Sequence, residues 1–399
     1  MRNPGLSVSS SRAGPRLFSD PERRSLPASS GALDAGFSQL RFVFCSEEMI
    51  VSLPTVRRGL SPSLAHPLHS TPRFGVHITR LLPIAMVACV SPSAALACAT
   101  CGCTLNADAA MGYSASAGWR MSIESDYVHQ NELRSGTRSA SGVPEGNELE
   151  RETLNRYVTT GLSYSPSSSW SVNLLVPYVV RTHSTYGAFD STQPLPDLTT
   201  SRSSSLGDIK VIGSYQGLLP TKNLGIQLGV KLSTGHYGTH VKFNGGPDAG
   251  EPLDASLQPG TGSTDVILGA YYYKAISQDF DMFANGQFQS AVKHHMDQPD
   301  NDYRPGNATS LSVGLRYEAN PQWVPQLQVN LLHKSRDQGA LADVESTAGN
   351  VAYLSPGLTA RVLSNMHVYA FAQFPVYSNL YGFQLFPRWT ASVGASYAF

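Results

Sequence analysis

From Trp389 to Phe399 the chain reads Trp-Thr-Ala-Ser-Val-Gly-Ala-Ser-Tyr-Ala-Phe, with an apolar or aromatic residue at every second position and small or polar ones between. Successive side chains of a strand point to opposite faces. One face, Trp389, Ala391, Val393, Ala395, Tyr397 and Phe399, therefore suits lipid, and the other, Thr390, Ser392, Gly394 and Ser396, suits water. A two-faced strand that ends on an aromatic residue fits a transmembrane barrel. The half-buried strand of a soluble sheet alternates in the same way, so the decision rests on whether the pattern recurs upstream.

It recurs about twelve times. Alternating segments run near 116–130, 151–165, 169–183, 204–217, 223–235, 262–275, 279–292, 307–318, 323–335, 349–362, 367–379 and 387–399. Tight turns rich in Pro, Asn and Ser fall at Pro166-Ser167-Ser168, Leu219–Asn223, Ser277-Gln278, Asn320-Pro321-Gln322 and Ser364-Asn365. Longer polar links lie near 131–150, 184–203, 236–261, 293–306, 336–348 and 380–386. An even strand count with alternating short and long connections predicts an all-β fold: an antiparallel barrel of about 12 strands over 116–399, in the outer membrane of a Gram-negative bacterium. Short turns belong to the periplasmic rim of such barrels, which puts both barrel termini in the periplasm.

Composition narrows the function classes. Lys plus Arg equals Asp plus Glu at 29 each, so there is no basic excess to hold nucleic acid. After Cys98 no apolar run approaches the ~18 residues that a membrane helix needs. The 35 Gly and 18 Tyr suit strands and turns.

The region before the barrel reads as three pieces. Residues 1–72, rich in Ser, Arg and Pro, have no hydrophobic period and are expected to be disordered or not translated. In 73–97, Arg73, His77 and Arg80 precede the apolar run Leu81–Val90 and an Ala-x-Ala end at Ala97, the order of an export signal. Residues 98–115 then form a periplasmic segment holding Cys98, Cys101 and Cys103. Three readings of these cysteines stand: lipidation of Cys98, a soft metal ion such as Cu(I) or Zn held by all three thiolates, or a disulfide from Cys98 to Cys101 or Cys103. His236, His240, His294 and His295 fall in links at the opposite end of a barrel whose apolar band is about 25 Å tall, too far to complete a metal site with them.

The strand faces assign the interior. In Leu224–Ser233 the aliphatic residues share one face, while Gly225, Gln227, Gly229, Lys231 and Ser233 share the other. The same parity places Arg120, Glu124, Asp126, Arg181, Asp208, Lys210, Lys231, Asp265, Asp281, Arg316, Glu318 and Arg361 inside. Acids and bases are equally represented, so pairing across the lumen is expected to offset the cost of burying charge.

The segments Leu206-Gly207-Asp208-Ile209-Lys210, Leu232-Ser233-Thr234-Gly235, Gly262-Ser263-Thr264-Asp265-Val266 and Tyr369–Tyr377 resemble the recurring blocks of outer-membrane proteins grouped as the meta-pathway phenol-degradation family, which are described as transporters. The resemblance spans most of the barrel and implies a small-molecule channel. The expected partners are therefore outer-membrane lipid and a small, aromatic or hydrophobic solute that crosses by passive diffusion, with the 236–261 link shaping the entrance. Three alternatives stand beside it: a structural or adhesive surface barrel, a metal or redox role for the cysteine segment, and an outer-membrane lipid hydrolase. The last would use His183 with Ser184 or His333 with Ser335, although no Gly-x-Ser-x-Gly elbow or dinucleotide fingerprint is present. The expectation is a non-enzyme.

Overall fold

The computed structural model describes residues 117–399 except 196, 299 and 300. Residues 1–72, the export signal at 73–97 and the segment with Cys98, Cys101 and Cys103 lie outside the described residues.

The regular elements of the described residues are all strands apart from two one-turn 3-10 helices. The strands are β1 (Gly118–Gly136), β2 (Arg138–Ser139), β3 (Glu148–Ser167), β4 (Trp170–Ala188), β5 (Thr199–Leu206), β6 (Lys210–Tyr215), β7 (Leu224–Lys231), β8 (Thr264–Ala275), β9 (Phe280–Lys293), β10 (Ala308–Tyr317), β11 (Trp323–Lys334), β12 (Gly349–Leu363) and β13 (Met366–Ala398). All but β2 and β5 form one closed ring, in which β13 pairs with both β12 and β1. β2 extends β1, and β5 pairs with the upper half of β4, above β6.

Every pairing is antiparallel, and directions around such a ring must alternate, which eleven one-way strands cannot do. β13 supplies the missing reversal. Its residues 366–380 run antiparallel to β12, from Leu363↔Met366 to Gly349↔Leu380. Its residues 380–398 run antiparallel to β1, from Gly136↔Leu380 to Arg120↔Ala398. The chain therefore turns back near Gly382, whose φ of 62° only glycine adopts without strain. Counted by direction, the barrel has the expected twelve staves, although the 380–386 link lies within one continuous strand. A second departure is the stave expected at 204–217, which is interrupted at Gly207-Asp208-Ile209. Closure is completed between Trp119 and Phe399, whose backbones exchange hydrogen bonds of 2.9 and 3.1 Å.

Burial follows the two-residue period. On β7, Leu228 is 63% exposed, whereas Gln227 is 7% and Lys231 3% exposed. The outer face carries a band of Leu, Val and Ile between two sets of aromatic rings. Trp119 packs on Tyr164, Trp170 on Tyr215 and Phe280 on Tyr317 at the end with the short turns, and Tyr127 stacks on Trp389 toward the other end. An apolar belt flanked by aromatic girdles around a closed ladder meets the requirement that no backbone group be left unpaired in lipid. The protein is an outer-membrane β-barrel.

Inside, aromatic rings lie flat over glycines of neighbouring strands. A Cβ on Gly225 would fall 2.1 Å from the Tyr271 ring, and one on Gly357 would fall 2.0 Å from Phe371. The small residue leaves the space that the ring fills, so the interior is closely packed at these levels.

Candidate functional site

The interruption between β5 and β6 lies where the long link between β7 and β8 begins and ends. Asp208, 7% exposed, accepts hydrogen bonds at Oδ1 from the backbone N–H groups of Thr234 (3.2 Å) and Gly235 (3.1 Å), at the start of that link. At Oδ2 it accepts from Thr261 N (3.0 Å) and Thr261 Oγ1 (2.8 Å), at the link's end. One carboxylate thus clasps both legs of a loop whose feet are 26 residues apart in sequence.

Lys231 completes the clasp. Its ammonium lies 2.9 Å from Asp208 Oδ2 and 3.3 Å from Asp265 Oδ2, with Ser263 Oγ at 3.1 Å and Thr261 Oγ1 also in contact. Two acids and one base leave the cluster a net negative charge, offset by the backbone N–H donors on Asp208 and by the Ser263 hydroxyl donated to Asp265. Three of the four sequence blocks that carry the family resemblance, Leu206–Lys210, Leu232–Gly235 and Gly262–Val266, converge on this node. Just above it the two legs touch, and Gly260 N donates to His236 O at 2.9 Å.

From the clasp the loop folds into the barrel. Leu253, Ala255, Ser256, Leu257 and Gln258 are all buried, at 1–5% exposed. Leu257 and its neighbours share a cavity with Gln130 of β1, Glu150 of β3 and, across the ring from β7 and β8, Leu385 of β13. A segment rooted between β7 and β8 reaches Leu385 only by crossing the ring. Its far side is held by a hydrogen-bond chain that runs through the wall. Arg181 donates to Gln258 O (3.2 Å), Tyr157 OH (3.0 Å) and Asn155 Oδ1. Asn155 donates to Gln130 Oε1 (2.9 Å), and Gln130 donates to Leu385 O (3.0 Å). Val128, Tyr157 and Val179 form an apolar patch beside this chain on the same interior face.

The remaining interior charges are spread along the barrel. Glu124 accepts from Tyr369 OH, and Asp126 accepts from Ser392 Oγ at 2.5 Å. Arg316 pairs with Glu318 at 2.8 Å and stands opposite Asp281 in the β9–β10 register. Arg120, Arg316 and Arg361 lie around His367 at the short-turn end, and Arg361 is exposed at the rim. Lys210 stands opposite Lys231 in the β6–β7 register. The pairs of Lys231 with Asp208 and Asp265 and of Arg316 with Glu318 join neighbouring positions along the wall, where side chains are within reach of one another.

Sequence parity did not single out Lys334 and Asp337, a buried pair 2.6 Å apart that also takes Tyr303 OH (2.9 Å) and Gly306 N (2.7 Å). Lys334 continues the interior parity of Gln326, Gln328 and Asn330, so carrying the period to the end of β11 finds it. Asp337 is in a link, where parity gives no signal. Among the proposed Ser–His partners, His183 Nδ1 meets Thr153 Oγ1 at 2.8 Å, and Ser335 Oγ accepts from Asn307 N at 2.8 Å. Tyr237 of the inward loop stacks on His295 of the β9–β10 link.

Several solved barrels are similar to this chain at low identity. An outer-membrane channel from Pseudomonas putida F1 is similar at a TM-score of 0.52 and 11% identity, covering 72% of this chain and 98% of that one. The toluene transporter TbuX of Ralstonia pickettii (TM-score 0.37, 12% identity, 71% and 90% covered) and the monoaromatic hydrocarbon channel CymD (0.36, 10%, 71% and 89%) are more distant. The first of these likenesses establishes a shared fold. No curated protein matches the sequence. The profile of the family described as "Putative MetA-pathway of phenol degradation" matches residues 134–385, more than half of the chain, and the chain belongs to that family.

Proposed function

We propose that the protein is a passive outer-membrane channel for small, uncharged aromatic or apolar solutes, with the loop between β7 and β8 as its constriction. The short-turn end, where Gly118 and Phe399 meet, faces the periplasm, and the loop end faces outward. The observation that carries the reading is the inward loop itself. Held by Asp208 at its neck and by Arg181 at Gln258, it narrows the interior beside the apolar patch of Val128, Tyr157 and Val179. A wide water-filled pore would gain nothing from such a patch, whereas a solute with little hydration to lose is favoured there by apolar contact. Family membership supports the same solute class.

Uptake by liposomes containing the purified barrel tests this. Small aromatic solutes should enter faster than sugars of similar size, at a rate proportional to the gradient and without saturation at low concentration. Equal exclusion of both classes would favour a structural barrel.

A further inference from the structure

On the lipid side of the barrel one sector departs from the apolar band. In β3, Asn155 and Tyr157 are buried in the interior, so Arg156 between them faces out, and it is exposed. In β5, Arg202 stands opposite Thr182, which lies between the buried Arg181 and His183, so Arg202 also faces out and is exposed. Neither guanidinium has a hydrogen-bond or ion-pair partner among the described residues.

A β-bulge adds a third arginine. Val128 pairs with Thr390 and Gln130 with Pro387, so His129 alone stands opposite both Arg388 and Trp389. The Arg388 side chain is 71% exposed and Trp389 is 47% exposed. The acids beside this bulge are engaged. Glu152 meets His129 at 3.2 Å, and Glu132 lies 3.7 Å from Arg388 Nε and 4.0 Å from Arg134 Nε. The charges of Arg156 and Arg202 are therefore not offset by them.

The level of the sector identifies what it meets. Arg156 is directly opposite Tyr127 in the β1–β3 register, and Tyr127 stacks on Trp389. Between Trp119 of the short-turn girdle and Tyr127, β1 advances about 26 Å, or about 20 Å along the axis of a barrel whose strands tilt by about 40°. That is close to the height of the apolar band, so Arg156 stands at its rim and Arg202 one two-residue step further out. An uncompensated charge on the lipid face is costly, and an anion at head-group level removes that cost. With the loop end facing outward, the lipid at this level belongs to the outer leaflet, whose glycolipid carries phosphates on a disaccharide. A guanidinium matches a phosphate with two parallel N–H bonds. Arg156 and Arg202, on either side of β4, are about 12 Å apart at Cα, a span of the order of that disaccharide.

We propose that Arg156 and Arg202, with Arg388 beside them, form a binding site on the outer wall for the phosphorylated disaccharide of lipid A, one guanidinium to each phosphate. The inference goes beyond the channel reading and takes from it only the outward orientation of the loop end.

Binding of diphosphoryl lipid A, of the same glycolipid with its phosphates removed and of phosphatidylglycerol to the intact barrel in nonionic detergent, titrated by native mass spectrometry, tests it. Diphosphoryl lipid A should bind at least about tenfold tighter than the dephosphorylated form, as expected for charge-assisted hydrogen bonds. The double variant Arg156→Gln, Arg202→Gln should lose that preference and keep its affinity for the dephosphorylated form. Both side chains lie outside the strand ladder, so the barrel should keep its heat-modifiable migration. Arg202→Gln alone, further from the apolar band, should lose severalfold and serves where the double variant assembles poorly. Lys274→Gln, which removes an exposed charge at the short-turn end, should bind as wild type does. Equal affinity for the two glycolipids, a preference that survives in the arginine variants, or an equal loss in Lys274→Gln overturns the proposal. So does phosphatidylglycerol binding as tightly as lipid A, or displacement of lipid A by an equal concentration of inorganic phosphate. Solute uptake does not enter the test, so the lipid site and the channel reading can fail separately.

Discussion

Gly235 and Gly260 meet backbone to backbone: a Cβ on Gly235 would lie 2.7 Å from the Cα of Gly260, and one on Gly260 would lie 2.6 Å from the carbonyl of Gly235. Neither neighbour is a flexible side chain that can give way. Gly235→Ala must therefore part the two legs of the inward loop at its neck, at a cost of about 1–3 kcal/mol, the range for overpacking a tight contact. Because the ladder of the barrel does not pass through this contact, the variant should keep its heat-modifiable migration on gels while protease cuts within 232–263 faster than in the wild type. Unchanged cleavage would mean that the neck does not hold the loop.

The clasp below the neck makes a second prediction. Asp208→Asn leaves Lys231 with Asp265 but weakens the carboxylate that joins Thr234, Gly235 and Thr261. Lys231→Met leaves two buried carboxylates without their shared cation. Breaking a buried pair costs about 3–5 kcal/mol, so Lys231→Met should be the more damaging of the two, read as a lower temperature for loss of the folded band. The combined variant should cost less than the sum of the single ones, since each removes the same interaction.

Much of this was legible beforehand, for a physical reason. The lipid face must be apolar along its whole length, so parity and the turn positions survive in the sequence, and twelve alternating segments with even parity appear as twelve staves. The strand break at 207–209 was not legible, because Gly207-Asp208-Ile209 continues the alternation while Asp208 is diverted to bind the two loop legs. The inward course of residues 232–263 was equally hidden. Polar links read alike whether they leave the barrel or enter it, and only contacts from Gln258 to Arg181 and from Leu257 to the far wall separate the two. The expectation of charge pairing was right in kind for Lys231 and Arg316, but the partners proved to be neighbours along the wall.

The two faces of β7 give a third prediction. Leu228 is exposed on the outer band, while its neighbour Gln227 contacts Ser214 and accepts from Gln287 Nε2 at 3.0 Å inside. Leu228→Arg places a charge against lipid and should cost about 2–4 kcal/mol near the midplane, lowering the yield of folded barrel. Gln227→Arg places the same charge among hydrogen-bonding groups and should assemble with altered conductance. Equal yields for the two variants would contradict the assignment of faces.

The central claim is that solutes pass through the interior and that the inward loop sets the constriction. The most direct measurement compares entry of N-phenyl-1-naphthylamine, a small uncharged aromatic dye, and of a trisaccharide into vesicles with a lipopolysaccharide outer leaflet. The vesicles would hold wild-type barrel, a variant with residues 236–259 replaced by a short Gly-Ser link, or no protein. The account predicts that wild type admits the dye and excludes the sugar, and that the shortened loop admits both. Dye entry no faster than in protein-free vesicles, or a sugar barrier unchanged by removing the loop, would contradict it.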